Sequence, residues 1–293
     1  MSDVATLPLA PAPGRGKTLR RLARRNKVAA VAGLILLVII VLSLLAPVLG
    51  LSDPVLMSPT DRLKPPGEAG LMGTDRFGRD IFARILFGTR ISLIVGVAAV
   101  LVAAFFGTII GLIAGYVGRW QEYVSMRVMD VLFSFPSIVL AILIVTIVGA
   151  GFPSIVMAIA LVQTPIFARI VRGSTLSVKN MEYVHAAEAG GADMGLILRR
   201  HILPNVAAPI LVQLALSMSG AITMEAALSY LGLGAVPPTP SLGSMLNENR
   251  SSMEIAPWTV LYPGLALAVI VLCINMFGDA VRDYMDPRIR KSM

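Results

Sequence analysis

Charged and metal-binding residues are scarce in this sequence. Only 14% of its 293 residues are charged and 56% are hydrophobic, whereas a soluble domain carries about 25% charged residues. The one cysteine, Cys273, lies in an apolar run, which excludes internal disulfides and multi-cysteine metal sites. The two histidines, His185 and His201, have no second pair of candidate ligands, so we predict no metal site. The composition indicates a chain whose main solvent is lipid.

Six uncharged runs are long enough, or nearly so, to cross a hydrocarbon core of about 30 Å. Backbone amides in lipid must bond within their own segment, so each run is expected to be a helix. The first run exceeds the apolar core of a signal peptide, about 7–15 residues, and is expected to be retained. The runs cover residues 28–51, 91–117, 131–150, 151–168, 203–224 and 258–277. We therefore expect an all-α membrane protein of six transmembrane helices.

The positive charges predict the orientation of these helices. Eighteen of the 25 Lys and Arg residues lie in the two termini and in alternate loops, which the positive-inside rule places in the cytoplasm. Because the net charge of +8 is divided among loops, it does not indicate nucleic-acid binding. The predicted division is a flexible basic cytoplasmic tail (1–27), the first transmembrane helix (28–51), an extracytoplasmic loop (52–90), a five-helix core (91–280) containing a cytoplasmic loop (171–204), and a cytoplasmic tail (281–293).

Two spans carry features that predict helix packing. Gly107, Gly111 and Gly115 lie four residues apart, which favours close contact with another helix of this subunit or of a partner. The first span has no polar residue between Val28 and Val41. A helix that is apolar on every face suits lipid contact, so we expect it to lie outside the conducting core.

Polar residues within the fifth span are candidates for the transport pathway or its gate. Glu225 borders an uncharged run, and a carboxylate at such a position is by default a functional hypothesis. It also lies near the outer end of the span, so an alternative role is a structural anchor for the following turn. Gln213 and Ser217 are further pathway candidates.

The cytoplasmic loop contains a segment suited to docking on another protein. Residues 182–189 include three alanines, which favour a helix, and Gly190 with Gly191 should end it. A short helix with a small-residue face can enter a cleft on a partner. The alternative is a polar connector, although about 30 residues is long for one.

This loop resembles the EAA loop of bacterial ABC importer permeases. Five residues match the pattern at its spacing: Ala186, Ala187, Gly191, Leu203 and Pro204. His185 replaces the glutamate and His201 stands at an isoleucine position. The resemblance implies that the loop couples the subunit to an ATPase, with Tyr183, Ala192 and Asp193 in the same segment.

A second motif resembles the C-type permease of dipeptide, oligopeptide and nickel importers. It runs through the outer loop at 71–84, and its site residues are Gly73, Thr74, Asp75, Gly78, Arg79 and Asp80. We expect this segment to be an ordered surface structure with exposed charge pairs, on which a binding protein docks. Further stretches at 126–136, 225–243 and 275–287 agree, and the resemblance spans roughly residues 20–290.

The resemblance implies a type I ABC importer permease fold in the bacterial inner membrane. It also implies three kinds of partner: a B-type permease, two cytoplasmic ATPases and an extracytoplasmic substrate-binding protein. The chain itself is then not expected to be an enzyme. It is also expected to bind neither ATP nor magnesium, because both bind the ATPases. The implied substrates are di- or oligopeptides, with nickel chelates or glutathione as alternatives. A secondary transporter is a less favoured alternative, because only Glu225 suggests an intramembrane ionisable site. A membrane enzyme lacks a nucleophile–base pair in the spans.

Overall fold

The computed structural model describes residues 27–285, and the predicted basic tail before residue 27 and the chain after residue 285 lie outside them. Helices make up most of this part of the chain, and its strand pairing is limited to one isolated bridge between Thr74 and Asp80. The helices are α1 (Lys27–Leu45), α2 (Ile81–Val117), α3 (Arg119–Ser134), α4 (Ser137–Val148), α5 (Phe152–Lys179), α6 (Glu182–Ala189), α7 (Met194–Leu196), α8 (Leu203–Tyr230), α9 (Leu242–Asn249) and α10 (Trp258–Met285). A π-helical turn, Ile197–Ile202, joins α7 to α8. The predicted all-α class is confirmed.

Five helical segments are long and apolar enough to cross a membrane, and the pair α3–α4 supplies a sixth if counted as one broken span. The run 131–150 was expected to form one helix, but the chain bends by 95° between α3 and α4. Pro136 explains the bend, because a proline disfavours helical geometry at the preceding residue. Phe135 is accordingly extended, with φ −82° and ψ 142°.

The helices extend beyond the uncharged runs at several ends. The α2 helix begins at Ile81, ten residues before the predicted start at residue 91. Asp80 caps it by accepting a hydrogen bond from the Phe82 amide at 2.9 Å, and Arg84 in its first turn is buried rather than solvated. The first helix also ends earlier than predicted, at Leu45 rather than residue 51, so the outer loop covers residues 46–80 instead of 52–90. Similarly, α5 continues to Lys179 and α10 to Met285, which shortens the cytoplasmic loop and the predicted carboxyl-terminal tail.

The glycine ladder of α2 packs against α5 of the same subunit. A Cβ added at Gly107 would lie 2.5 Å from the Cβ of Phe167, and one at Gly111 would lie 2.6 Å from the carbonyl oxygen of Ala168. Gly115 makes a similarly close approach to Thr175. Only glycine permits this separation, so the ladder is a helix contact within the subunit. The main hydrophobic core lies here, among α2, α4, α5 and α8.

The first span lies at the periphery of the described helices, which agrees with the expected position outside the subunit's core. Within α1, only Ala32 and Ser43 are buried. The helix packs mainly on α10, where a Cβ at Gly33 would lie 3.5 Å from the Cδ2 of Phe277. This contact places the beginning of α1 beside the end of α10, so both ends of the described chain lie on the same side.

Candidate functional site

The outer-loop motif is an ordered turn structure held by two glycines. Gly73 and Gly78 have φ angles of 74° and 75°, a region that disfavours side chains. A Cβ at Gly78 would lie 1.8 Å from the carbonyl oxygen of Ser58, so the turn also needs glycine for space. Thr74 joins the motif to the preceding loop, because its hydroxyl oxygen accepts a hydrogen bond from the Lys64 amide at 3.0 Å.

The charged residues of this motif form a buried cluster. Asp75 is fully buried, and one of its carboxylate oxygens accepts a hydrogen bond from Arg79 Nε at 2.7 Å. Glu248, at the end of α9, pairs with both Arg79 and Arg84, the latter at 3.0 Å. Arg84 also donates to the carbonyl oxygen of Pro54 at 3.3 Å. Two guanidinium groups thus face two carboxylates, which is the arrangement that allows charge to be buried.

The expectation of exposed charge pairs in this loop is wrong for the central residues. The relative exposure of Asp75, Arg79 and Arg84 does not exceed 4%. Since Glu248 comes from a helix more than 160 positions away in the sequence, its pairing ties the outer loop to the α8–α10 connection. The motif therefore forms the interior of the folded outer loop, residues 46–80, which we call the outer cap. Asp80, the last residue of the outer cap, is the N-cap of α2.

The cytoplasmic segment folds into the expected short helix. It ends as expected, because Gly190 donates its amide to the Ala186 carbonyl at 3.0 Å and Gly191 adopts φ +80°. Asp193 then caps the next helical turn by accepting a hydrogen bond from the Leu196 amide at 3.2 Å. The segment thus has a defined backbone from one membrane helix to the next.

One side of α6 is anchored to the membrane helices. Val184 is fully buried in a cluster that includes Ile197, Ile202 and Val206. Ala187, Ala192 and Leu203 pack against the same cluster. At the end of α6, Tyr116 Oη donates a hydrogen bond of 2.9 Å to Glu188, and this bond lowers the pKa of the Glu188 carboxyl below its usual value.

The other side of α6 is open. Tyr183, His185 and Ala186 are exposed, with Tyr183 at 44%. Pro204, at the start of α8, is exposed as well. The Tyr183 ring lies 6.2 Å from the ring of His201. An exposed surface with an aromatic ring and a small side chain, on a firmly anchored helix, suits a docking contact, since little order is lost when a partner binds.

The pathway candidates lie within the helix bundle. Gln213 Nε2 donates to Ser217 Oγ at 2.9 Å, and Gln163 on α5 donates to the Ser217 carbonyl at 3.2 Å. Ser217 is buried, with 5% exposure. Gln213 and Ser217 therefore lie together at the α5–α8 contact, whereas Glu225 lies two turns farther along α8.

Glu225 is fully buried beneath the loop that leads to α9. Ser229 Oγ donates to Glu225 Oε1 at 2.7 Å. A Cβ at Gly243, in the first turn of α9, would lie 2.1 Å from the carbonyl oxygen of Ala226, so the start of α9 rests directly on the α8 backbone. These contacts fit the anchoring role better than the gating role.

Sequence patterns did not reveal two residues that complete these sites. Glu248 and Tyr116 make their functional contacts with residues distant in the chain. Neither lies in a local motif that identifies its partner, and a single sequence carries no signal for such pairs.

Two family profiles match the chain. The family described as binding-protein-dependent transport system inner membrane component matches residues 107–291, and the N-terminal TM domain of oligopeptide transport permease C matches residues 16–66. The chain is 46% identical to the dipeptide transport system permease protein DppC of Alkalihalophilus pseudofirmus over 91% of its length and 88% of the relative. It is 45% identical to the glutathione transport system permease protein GsiD of Pectobacterium atrosepticum, over 91% of this chain and 89% of that one.

Solved structures show the same fold. A chain of the inward-facing MetNI methionine ABC transporter superposes with a TM-score of 0.51 at 20% identity, covering 66% of this chain and 94% of its own. A chain of an amino acid ABC transporter with histidines gives a TM-score of 0.52 at 17% identity, covering 72% and 94%. The helical arrangement is therefore that of ABC importer permeases.

Proposed function

We propose that this chain, which belongs to the family of binding-protein-dependent transport system inner membrane components, is the C-type permease subunit of an ABC importer of di- or oligopeptides. Membership makes it a permease component of the inner membrane and not itself an enzyme. The peptide assignment draws on the dipeptide permease relatives and on the oligopeptide permease profile.

The proposed complex contains a B-type permease, two cytoplasmic ATPases and an extracytoplasmic binding protein. ATP and magnesium bind to the ATPases and not to this chain. A ligand changes a conformational equilibrium only if it favours one state. In this proposal ATP favours the closed ATPase dimer, and the permease responds by opening its pathway outward.

The observation that carries the proposal is the two-sided character of α6. Its exposed side offers Tyr183, His185 and Ala186 to an ATPase, while Val184 on the other side is packed against the start of α8. Motion of an ATPase against the exposed side would therefore reach α8, which carries the polar residues of the interior. His185 replaces the usual glutamate, so contact here does not depend on a carboxylate at that position.

Glutathione is the second candidate substrate. A relative named as a glutathione permease is 45% identical, which is close to the value for the dipeptide permease. The two possibilities share one transport mechanism and differ in the cargo that the binding protein delivers.

The proposal can be tested with the complete transporter in proteoliposomes. We expect uptake of labelled di-alanine to require internal ATP and the external binding protein, and to exceed uptake of glutathione. Gly191→Ala should reduce uptake severalfold, because φ +80° costs a residue with a Cβ about 1–2 kcal/mol and α6 would shift.

Gly190→Ala is the matched control, since Gly190 has φ −77° and an added Cβ would make only ordinary contacts at 3.4 Å. This variant should retain uptake. Uptake that needs no ATP would contradict the importer assignment, and ATP-dependent uptake of glutathione alone would replace the dipeptide with the second candidate.

A further inference from the structure

A shallow, open cleft lies between α4, α8 and α10, and its mainly apolar lining includes several uncharged polar side chains. Its volume is about 480 Å³, within the range of roughly 300–1,000 Å³ typical of ligand sites. Its polar or small lining residues are Ser137, Ser219, Gly220, Thr223 and Asn275. The other lining residues are apolar, and no ionisable side chain is among those described. We refer to it as the neutral cleft.

The neutral cleft lies within the membrane-spanning helices, where exposed polar groups need a partner. Thr223 and Asn275 are exposed and lie within the uncharged parts of α8 and α10. A carboxamide in contact with lipid loses its hydrogen bonds to water without gaining others, which is energetically unfavourable. Asn275 is therefore expected to face water, a substrate or a protein rather than lipid.

A second cleft, between α2 and α8, provides a contrast. It is larger, about 860 Å³, and its walls are almost wholly apolar, including Leu101, Phe105 and Leu211. Such a surface suits lipid chains or an apolar helix. The single hydroxyl among its lining residues belongs to Thr108.

Two of the three hydroxyl groups in the lining of the neutral cleft, those of Thr223 and Ser219, are oriented to accept hydrogen bonds. Thr223 Oγ1 donates to the Ser219 carbonyl at 2.8 Å, and Ser219 Oγ donates to the Leu216 carbonyl at 3.4 Å. Each hydroxyl has used its proton, so its lone pairs remain available for an N–H group. Asn275 adds a carboxamide, which can donate and accept as a peptide group does.

We propose that the neutral cleft binds the transported peptide through its backbone amides and carbonyls. This inference rests on the proposed function. The lack of charge in the lining leaves the charge of peptide side chains unselected, so one pathway serves peptides of different sequence. Glu225 does not enter this contact, because it is fully buried and is not among the residues that line the cleft.

Charge substitutions at Asn275 test the inference. In the reconstituted complex, uptake is measured for the dipeptides Lys-Ala and Glu-Ala, with di-alanine as the uncharged reference. Asn275→Asp should raise the Lys-Ala to Glu-Ala ratio over wild type on the order of tenfold, and Asn275→Lys should lower it by a similar factor. The same binding protein is used with every variant. Its own preference for Lys-Ala or Glu-Ala therefore cancels when the uptake ratio of a variant is divided by that of wild type.

Thr108→Asp is the matched control, because it places a charge in the apolar cleft. It should leave the ratio unchanged even if total uptake falls. If wild type transports none of the three dipeptides, the proposed function fails. If wild type transports them but the two Asn275 variants do not shift the ratio in opposite directions, the inference is overturned and the proposed function stands.

A cysteine variant keeps the inference testable if the charged variants fail to assemble. Thr223→Cys should react with a membrane-impermeant methanethiosulfonate reagent, and di-alanine delivered by the binding protein should slow the reaction severalfold. Labelling is read on this chain, where the native background is low because its only cysteine, Cys273, is buried. If the Thr223→Cys protein does not react, or reacts equally fast with and without peptide, the cleft does not hold the substrate.

Discussion

Asp75 lies at the centre of a charge cluster that fixes the outer cap to the helix bundle. Its carboxylate pairs with Arg79, and Glu248 pairs with both Arg79 and Arg84. The charges balance only while all four side chains are present. Removing one partner leaves a buried charge uncompensated, which costs far more than losing a surface pair.

Asp75→Asn should therefore destabilise the protein by about 3 kcal/mol, although the side chain keeps its shape. Thermal unfolding of the purified complex and tryptic cleavage of the outer loop would measure this. The matched control is Asp53→Asn in the same loop, where Asp53 is exposed and accepts one hydrogen bond from the Val55 amide. Its effect should stay within about 0.5 kcal/mol. Equal effects for the two variants would show that the buried cluster does not hold the cap.

At the scale of helices, hydropathy located the membrane-spanning segments but not their ends. The start of α2 was misplaced because Arg84 and Arg90 appear in a sequence as loop charges, whereas Arg84 is in fact neutralised by Glu248. The bend between α3 and α4 was missed because Pro136 lies inside an apolar run. By contrast, the end of α6 was predictable, since two adjacent glycines act locally.

The glycine ladder sets the separation of α2 and α5. Gly111→Ala should destabilise this pair by roughly 1–3 kcal/mol, because the new Cβ would lie 2.6 Å from a backbone oxygen of α5. Gly173→Ala on α5 is the control, since nothing lies within 4 Å of its Cβ position. Thermal unfolding should show a loss of stability for the first variant and none for the second. A stable Gly111→Ala protein would mean that the two helices can separate at little cost.

Across the whole molecule, α2 links the two functional ends. Its 37 residues extend about 55 Å. The helix begins at Ile81, directly after the outer cap, and its last turn contains Tyr116, which contacts α6. The sequence indicated both end sites through their local motifs. It did not indicate how they are fixed, because Glu248 and Tyr116 act through contacts that only the folded chain creates. The neutral cleft was likewise hidden, since three separate helices form it.

The most direct test of the account is whether α6 touches the ATPase. Ala186→Cys places an exposed thiol on α6, and Leu71→Cys places one on the outer loop, where Leu71 is 76% exposed. With a short bis-maleimide cross-linker and a single-cysteine ATPase partner in the assembled transporter, the account predicts a cross-linked product for Ala186→Cys and none for Leu71→Cys. An assembled, transporting complex in which Ala186→Cys gives no product with any ATPase cysteine would contradict it.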